Sequence, residues 1–360
     1  MLAYVQKIFI IIITGCHNQW QKIMRKIFSV FFLFVFFGCV VFAQMPNFVF
    51  DSTMNNLKLP AGYTTSEYEA IPEYVKRGSG EQAMILIPGW GFDNSVFEDF
   101  MMANEKNYTM YAITIPGYGT TKAPPILDSN VSYGEQYWNN GVLRGVAKLI
   151  EKENVKNPIV VGSFVQGTQL ALRMGIEYGE IIQGVIILGG PVRFIPVGRG
   201  DPKQYTLEKR ISGIDNYMGP KWFKTITKKS FEDGNYPPGL YSTDSVRAQE
   251  LWHQSASVSL PVMVQYLCEF FASDISLEME KLQCPVLVLR GSYDDSLLAK
   301  QTNNYIKPQF IEAWDEIAQQ QPLVTVKDIQ GAASFVWKDK PEEVYREIKQ
   351  FVDGIEKGRR

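Results

Sequence analysis

Histidine is nearly missing from this chain: two in 360 residues, His17 and His253. His17 lies in an N-terminal apolar segment, so one imidazole serves the rest of the chain. That excludes the usual zinc-ligand clusters and leaves His253 as the single candidate imidazole base. Cysteine is scarce too. Of four, Cys16 and Cys39 fall in the first 43 residues, leaving Cys268 and Cys284. These two either pair or stand as buried thiols, and spacing does not choose between them. An excess of basic residues is also lacking. Removing Lys7, Lys22, Arg25 and Lys26 of the first 43 residues leaves 32 basic against 38 acidic side chains, net −6. With no basic stripe, nucleic acid is not an expected partner. Beyond residue 43 there is no internal repeat and no low-complexity tract. No metal or cofactor is expected.

What is present begins with a targeting pattern. Met24-Arg25-Lys26 is a basic start, Ile27 to Val41 is an almost unbroken apolar run, and Val41-Phe42-Ala43 has small residues at the cleavage positions. A signal peptide over 1–43 is expected, with Gln44 as the new N-terminus and residues 1–23 as an upstream extension. The protein is therefore expected in the periplasm or outside the cell. The alternative is an uncleaved N-terminal anchor, which would be its one membrane attachment. Phe37-Gly38-Cys39 half resembles a lipoprotein cleavage site.

The whole sequence is 46% hydrophobic and 21% charged, enough for a large core. Thr64–Ala70 and Glu73–Lys76 read as short strands. Ala83–Ile87 is an apolar run of the length of a strand buried on both faces, Gly184–Leu188 reads as another buried strand, and Tyr108–Ile115, Pro158–Val161, Pro285–Leu289 and Leu323–Val326 read as further strands. Asn140–Lys152 and Pro341–Ile355 carry helical periodicity. The latter opens with proline and acids. Strands alternating with helices predict an α/β fold with a mostly parallel sheet covered on both sides. From about Val192 to Leu282 the pattern changes to aromatics, lysines and Gly/Pro turns, with helices expected around Ser245–Ser257 and Val262–Ala272. The organisation expected is a core in two parts, 44–191 and 283–360, with a helical lid over 192–282.

Four short motifs punctuate the core. Val160-Val161-Gly162-Ser163-Phe164-Val165-Gln166-Gly167 joins a strand to a helix through a tight turn. Ile87-Pro88-Gly89-Trp90-Gly91, Pro116-Gly117-Tyr118-Gly119 and Arg290-Gly291-Ser292-Tyr293-Asp294 each follow a strand. In this order, with the stretch from Phe335 to Val344, they resemble the α/β-hydrolase fold superfamily over roughly residues 80–355. The first motif resembles its nucleophile elbow. The resemblance implies a hydrolase of small apolar esters, amides or lactones, and an aromatic-rich lid containing Trp222, Tyr241, Trp252 and Tyr266 suits an apolar ligand.

Position by position, the resemblance departs from a working triad. The nucleophile position falls on Phe164, whose benzyl group neither attacks a carbonyl nor donates a proton. A shift of one residue would offer Ser163, flanked at two before and two after by Val161 and Val165, β-branched residues that fit a tight turn poorly. Gly162 is small where the elbow needs it, whereas Gln166 is not. The acid position falls on Asp294, with Asp295 adjacent, and a turn-capping role is the alternative. The histidine position falls on Ser334, which is placed to hydrogen-bond Asp294. His253, in the expected lid, is either a substitute base or a surface residue. Backbone amides of Trp90 and Val165 correspond to the oxyanion donors. Two readings follow: a hydrolase with a rearranged site, or a binding or scaffold protein that kept the fold and lost the chemistry.

Overall fold

Apolar runs become the central strands because each is covered on both faces. A computed structural model describes residues 70–125, 131–193, 206–227, 229, 238–300 and 305–358. The expected signal segment 1–43, with its cleavage, anchoring and lipidation alternatives, and the strand expected from Thr64 lie outside the described residues. The described residues belong to one compact unit.

Seven strands make one sheet: β1 (Glu73–Arg77), β2 (Gln82–Ile87), β3 (Tyr108–Thr114), β4 (Ile159–Ser163), β5 (Gly184–Leu188), β6 (Val286–Gly291) and β7 (Val324–Ile329). Their order is β1-β3-β2-β4-β5-β6-β7. Only β1 is antiparallel, to β3, and every other pairing is parallel. All five residues of β4 and of β5 are buried, as parallel strands between helical layers must be.

The helices are α1 (Glu98–Asn104), α2 (Tyr137–Lys152) and α3 (Gln166–Glu177) in the first part of the core. Between β5 and β6 the described helices are α4 (Leu207–Gly213), α5 (Gly219–Thr225), α6 (Ser245–Ala256) and α7 (Leu260–Phe271). The chain thus inserts a helical stretch where the change of composition was read. The second part adds α8 (Asp295–Leu298), α9 (Ala313–Gln320), α10 (Val336–Asp339) and α11 (Pro341–Gly358). In α11, Val344, Ile348 and Val352 recur at four-residue spacing and are buried. Among the described residues no helix is long and apolar enough to cross a membrane.

Cys268 and Cys284 are both free and buried. Burial pushes both thiols up, Cys284 to about 12.

Candidate active-site region at the strand–helix elbow

The elbow forms where β4 ends at Ser163 and α3 starts at Gln166. Two residues turn the chain, and both take left-handed backbone angles: Phe164 at φ 37° and Val165 at φ 49°. L-residues avoid this region, and a β-branched residue there is a clear outlier. Close approach explains how the turn is held. A Cβ on Gly162 would stand 2.2 Å from the Gly167 carbonyl oxygen and 2.5 Å from Ala171 Cβ. A Cβ on Gly167 would stand 2.6 Å from the carbonyl oxygens of Ile87 and Pro88. The second small residue of the elbow is therefore Gly167, one position beyond Gln166.

Gln166 is buried and fully used. It accepts from Tyr118 Oη at 2.7 Å and donates Nε2 to Asn139 Oδ1 at 3.0 Å. Asn139 Nδ2 donates to Gln136 Oε1 at 3.1 Å. The same network reaches α7, because Glu269 accepts the backbone amides of Trp138 and Asn139, each at 2.9 Å. Glu269 thus caps the start of α2, whose own N-cap residue Gln136 makes no side-chain cap. Burial pushes the Glu269 carboxyl up to about 7, against the pull of those two amides.

The Phe164 side chain is completely buried. Its ring lies 5.2 Å from Tyr241, 5.4 Å from Phe335 and 6.3 Å, edge-on, from Phe92. Tyr241 stacks on Phe335 at 5.8 Å, and Phe335 contacts Trp337 at 5.1 Å. The loop after β2 closes against the same point, since a Cβ on Gly89 would meet Phe164 Cβ at 2.7 Å. Trp90, in that loop, is buried and donates its indole N–H to the Met263 carbonyl in α7 at 3.2 Å. Val165 is buried beside it. The two loops expected to supply oxyanion amides therefore meet at the elbow, over a space filled by aromatic rings.

Ser163 is the last residue of β4 and fully buried, and its Oγ has no hydrogen-bond partner. No base faces it. Ser334 is likewise buried, but the hydrogen bond expected from it to Asp294 is not formed. Ser334 Oγ pairs with Tyr293 Oη at 3.0 Å. The cause is a one-residue difference in the turn after β6. Tyr293 takes the left-handed angle (φ 57°) and points inward, and its hydroxyl is pushed up by burial. Asp294 is turned out to solvent, where it caps α8 through Ser296 N at 2.6 Å. Hydrogen bonds from Ser296 hold its carboxyl below the usual range. Asp295 is exposed in the first turn of α8. His253 is exposed on α6, 3.0 Å from Gln249 one turn away. Among the described residues, no imidazole or carboxylate bonds to Ser163 or Ser334.

The segment over the elbow is knitted to the core. Ser334 N donates to the Leu240 carbonyl at 3.1 Å and Phe335 N to the Tyr241 carbonyl at 2.9 Å. Asp339, its side chain fully buried, accepts from Ser242 Oγ, from Thr243 N at 3.1 Å, from Ala333 N at 2.9 Å and from Arg247 Nη1 at 3.0 Å. Sequence reasoning named Tyr241 only as one aromatic of the expected lid and Tyr293 only as a member of the turn before Asp294, and it missed Asp339. Among the described residues, no group of three metal-ligating side chains comes together.

No protein-family profile matches the chain. It is 23% identical, over 60% of its length and 76% of the relative's, to a pimeloyl-[acyl-carrier protein] methyl ester esterase of Wigglesworthia glossinidia brevipalpis. Among solved structures it resembles a lipase-esterase related protein of Clostridium acetobutylicum (TM-score 0.56, 15% identity, 78% of this chain and all of that one). It also resembles a bromoperoxidase of Bacillus anthracis (0.55, 18%, 78% and 94%) and the epoxide hydrolase CorEH (0.54, 19%, 79% and 98%). The strand order, the strained elbow between β4 and α3 and these neighbours agree: the chain has the α/β-hydrolase fold.

Proposed function

We propose that this protein is an exported binding or scaffold protein built on a hydrolase fold, without serine-hydrolase chemistry of its own. Its structural neighbours carry names of hydrolases and related enzymes, and the fold is theirs. One observation supports the departure: Phe164, at the nucleophile position, is buried among Phe92, Tyr241 and Phe335. An acyl group needs that volume, and a ring cluster of this density has no room for it. The residues around it agree. Ser163 lacks a base, Ser334 lacks an acid, and Asp294 serves a helix cap. Hydrolysis of small apolar esters, which the resemblance alone implies, would require Ser163 to be activated without an imidazole or carboxylate in contact.

Fluorophosphonate labelling with mass-spectrometric mapping tests this reading. The expected result is no serine adduct beside a well-labelled active esterase. An adduct on Ser163 or Ser334 would overturn it.

A further inference from the structure

Although the elbow is filled, an open cleft of about 270 Å³ lies beside it, where the loops after β2 and β3 meet the α6–α7 junction. Its floor is backbone and aliphatic: Gly91, Gly117, Val258 and Val262, all buried. Its walls include Asp93, Thr120, Gln254 and Ser259.

The walls select by what they offer. Among the described residues no lysine, arginine or histidine lines the cleft, so an anion finds no cationic partner there. Asp93 is the one carboxylate, and it is already engaged, with Oδ1 accepting from Ser95 N at 2.9 Å and Ser95 Oγ at 2.5 Å. A lone cation would gain little from a partnered, partly exposed carboxylate. Neutral acceptors and hydroxyls remain. Gln254 donates Nε2 to Ser95 Oγ at 3.1 Å, which leaves its amide oxygen as an acceptor. Ser259 is the telling residue. It occupies the N-cap of α7, where a serine ordinarily accepts an amide from the first turn, yet it makes no cap bond. Pro261 has removed one of the donors. Ser259 is exposed and lines the cleft together with Thr120.

Hydroxyls, an amide oxygen and a carboxylate oxygen above an aliphatic floor match a ring that carries hydroxyl donors on its edge and C–H groups on its face. The volume is just below the range for drug-sized ligands, which limits the occupant to about one ring. We infer that this cleft binds a small neutral polyol of monosaccharide size. The inference rests on the binding-protein reading above and names its ligand class.

Saturation-transfer NMR on the purified protein tests it, with D-glucose, D-galactose and myo-inositol as probes and hexylamine and butyrate as controls. At least one polyol is expected to show transfer to its ring C–H protons. Ser259→Trp, at an exposed position, fills the cleft and is expected to abolish that signal. Asp93→Asn keeps an oxygen for the Ser95 cap and is expected to weaken the signal at least fivefold. Silence from all three polyols overturns the inference, as does a signal confined to hexylamine or butyrate. A polyol signal unchanged in both variants places the ligand elsewhere and overturns it too. A fluorophosphonate adduct would instead overturn the reading of lost hydrolysis and leave the NMR result standing, so the two failures are distinguishable.

Discussion

Two residues carry the cost of this elbow. Phe164 and Val165 hold left-handed angles, each worth of order 1–3 kcal/mol of strain. In a working hydrolase such a turn presents a nucleophile. Here it drives a phenyl ring into the middle of an aromatic cluster, whose burial offsets the strain. Phe164→Ala removes the ring and keeps the strain, so it is expected to destabilise the protein by about 3–5 kcal/mol in urea unfolding. A loss under 1 kcal/mol would show that the cluster does not hold the turn. The same residue-scale logic explains the acid position. Restoring chemistry with Phe164→Ser and Ser334→His leaves the new imidazole without a carboxylate, because Asp294 faces solvent. Adding Tyr293→Asp supplies one, at a backbone angle that aspartate tolerates better than tyrosine. Tyr241→Ala then clears the ring above it. Fluorophosphonate labelling of residue 164 is expected in the quadruple variant and not in the double one.

Elements explain what was legible in advance and what was not. The strands β2 to β6 were legible because each is an apolar run flanked by turns, and burial on both faces leaves such a run few alternatives, whereas β7, expected from Leu323–Val326, alternates and exposes Thr325, Lys327 and Asp328 at the sheet edge. That Phe164 lies in the turn was legible because the strand before it and the helix after it bracket the turn. Tyr293 was not, because its inward turn depends on a left-handed angle that no glycine announces. Tyr241 was named as a lid aromatic, but its place against Phe164 was not legible, because it arrives from an irregular stretch 77 positions downstream. Nor was the α7–α2 junction, where Glu269 caps a helix 131 positions earlier in the chain. That junction gives a pH prediction. Folding raises the Glu269 carboxyl from an ordinary 4.5 to about 7, so between these values the folded form holds a proton that the unfolded form releases. Its contribution to stability is therefore largest at acid pH and falls as pH rises from 4.5 to 7, by about 3 kcal/mol at most. Urea unfolding across that range is expected to show the slope in wild type and to lose it in Glu269→Gln. An unchanged slope in the variant would assign it to other groups.

At the scale of the molecule, the insertion and the core are joined by buried polar bonds as well as by apolar packing. Asp339 gathers donors from the residue before Ser334, from the segment after Tyr241 and from α6, so one carboxylate fastens three chain segments. Asp339→Ala takes the acceptor from Ala333 N, Thr243 N and Ser242 Oγ, while Arg247 keeps the Lys338 carbonyl, and breaking such charge-assisted bonds costs about 3 kcal/mol or more. Hydrogen exchange is expected to speed up at least tenfold across residues 240–256 while the amides of β4 and β5 stay protected. Uniform loss of protection would mean that insertion and core unfold as a single unit.

The aromatic cluster also has an optical consequence. Trp337 sits 5.1 Å from Phe335, and Trp252 sits 6.2 Å from Tyr241, so indoles flank the filled elbow from both sides. Trp337 is completely buried, and its N–H has no partner. Any excursion that parts Phe335 from Trp337 and admits water gives that indole its first hydrogen bond and shifts its emission to the red. The protein thus contains its own reporter of elbow opening, readable in a fluorimeter without a label.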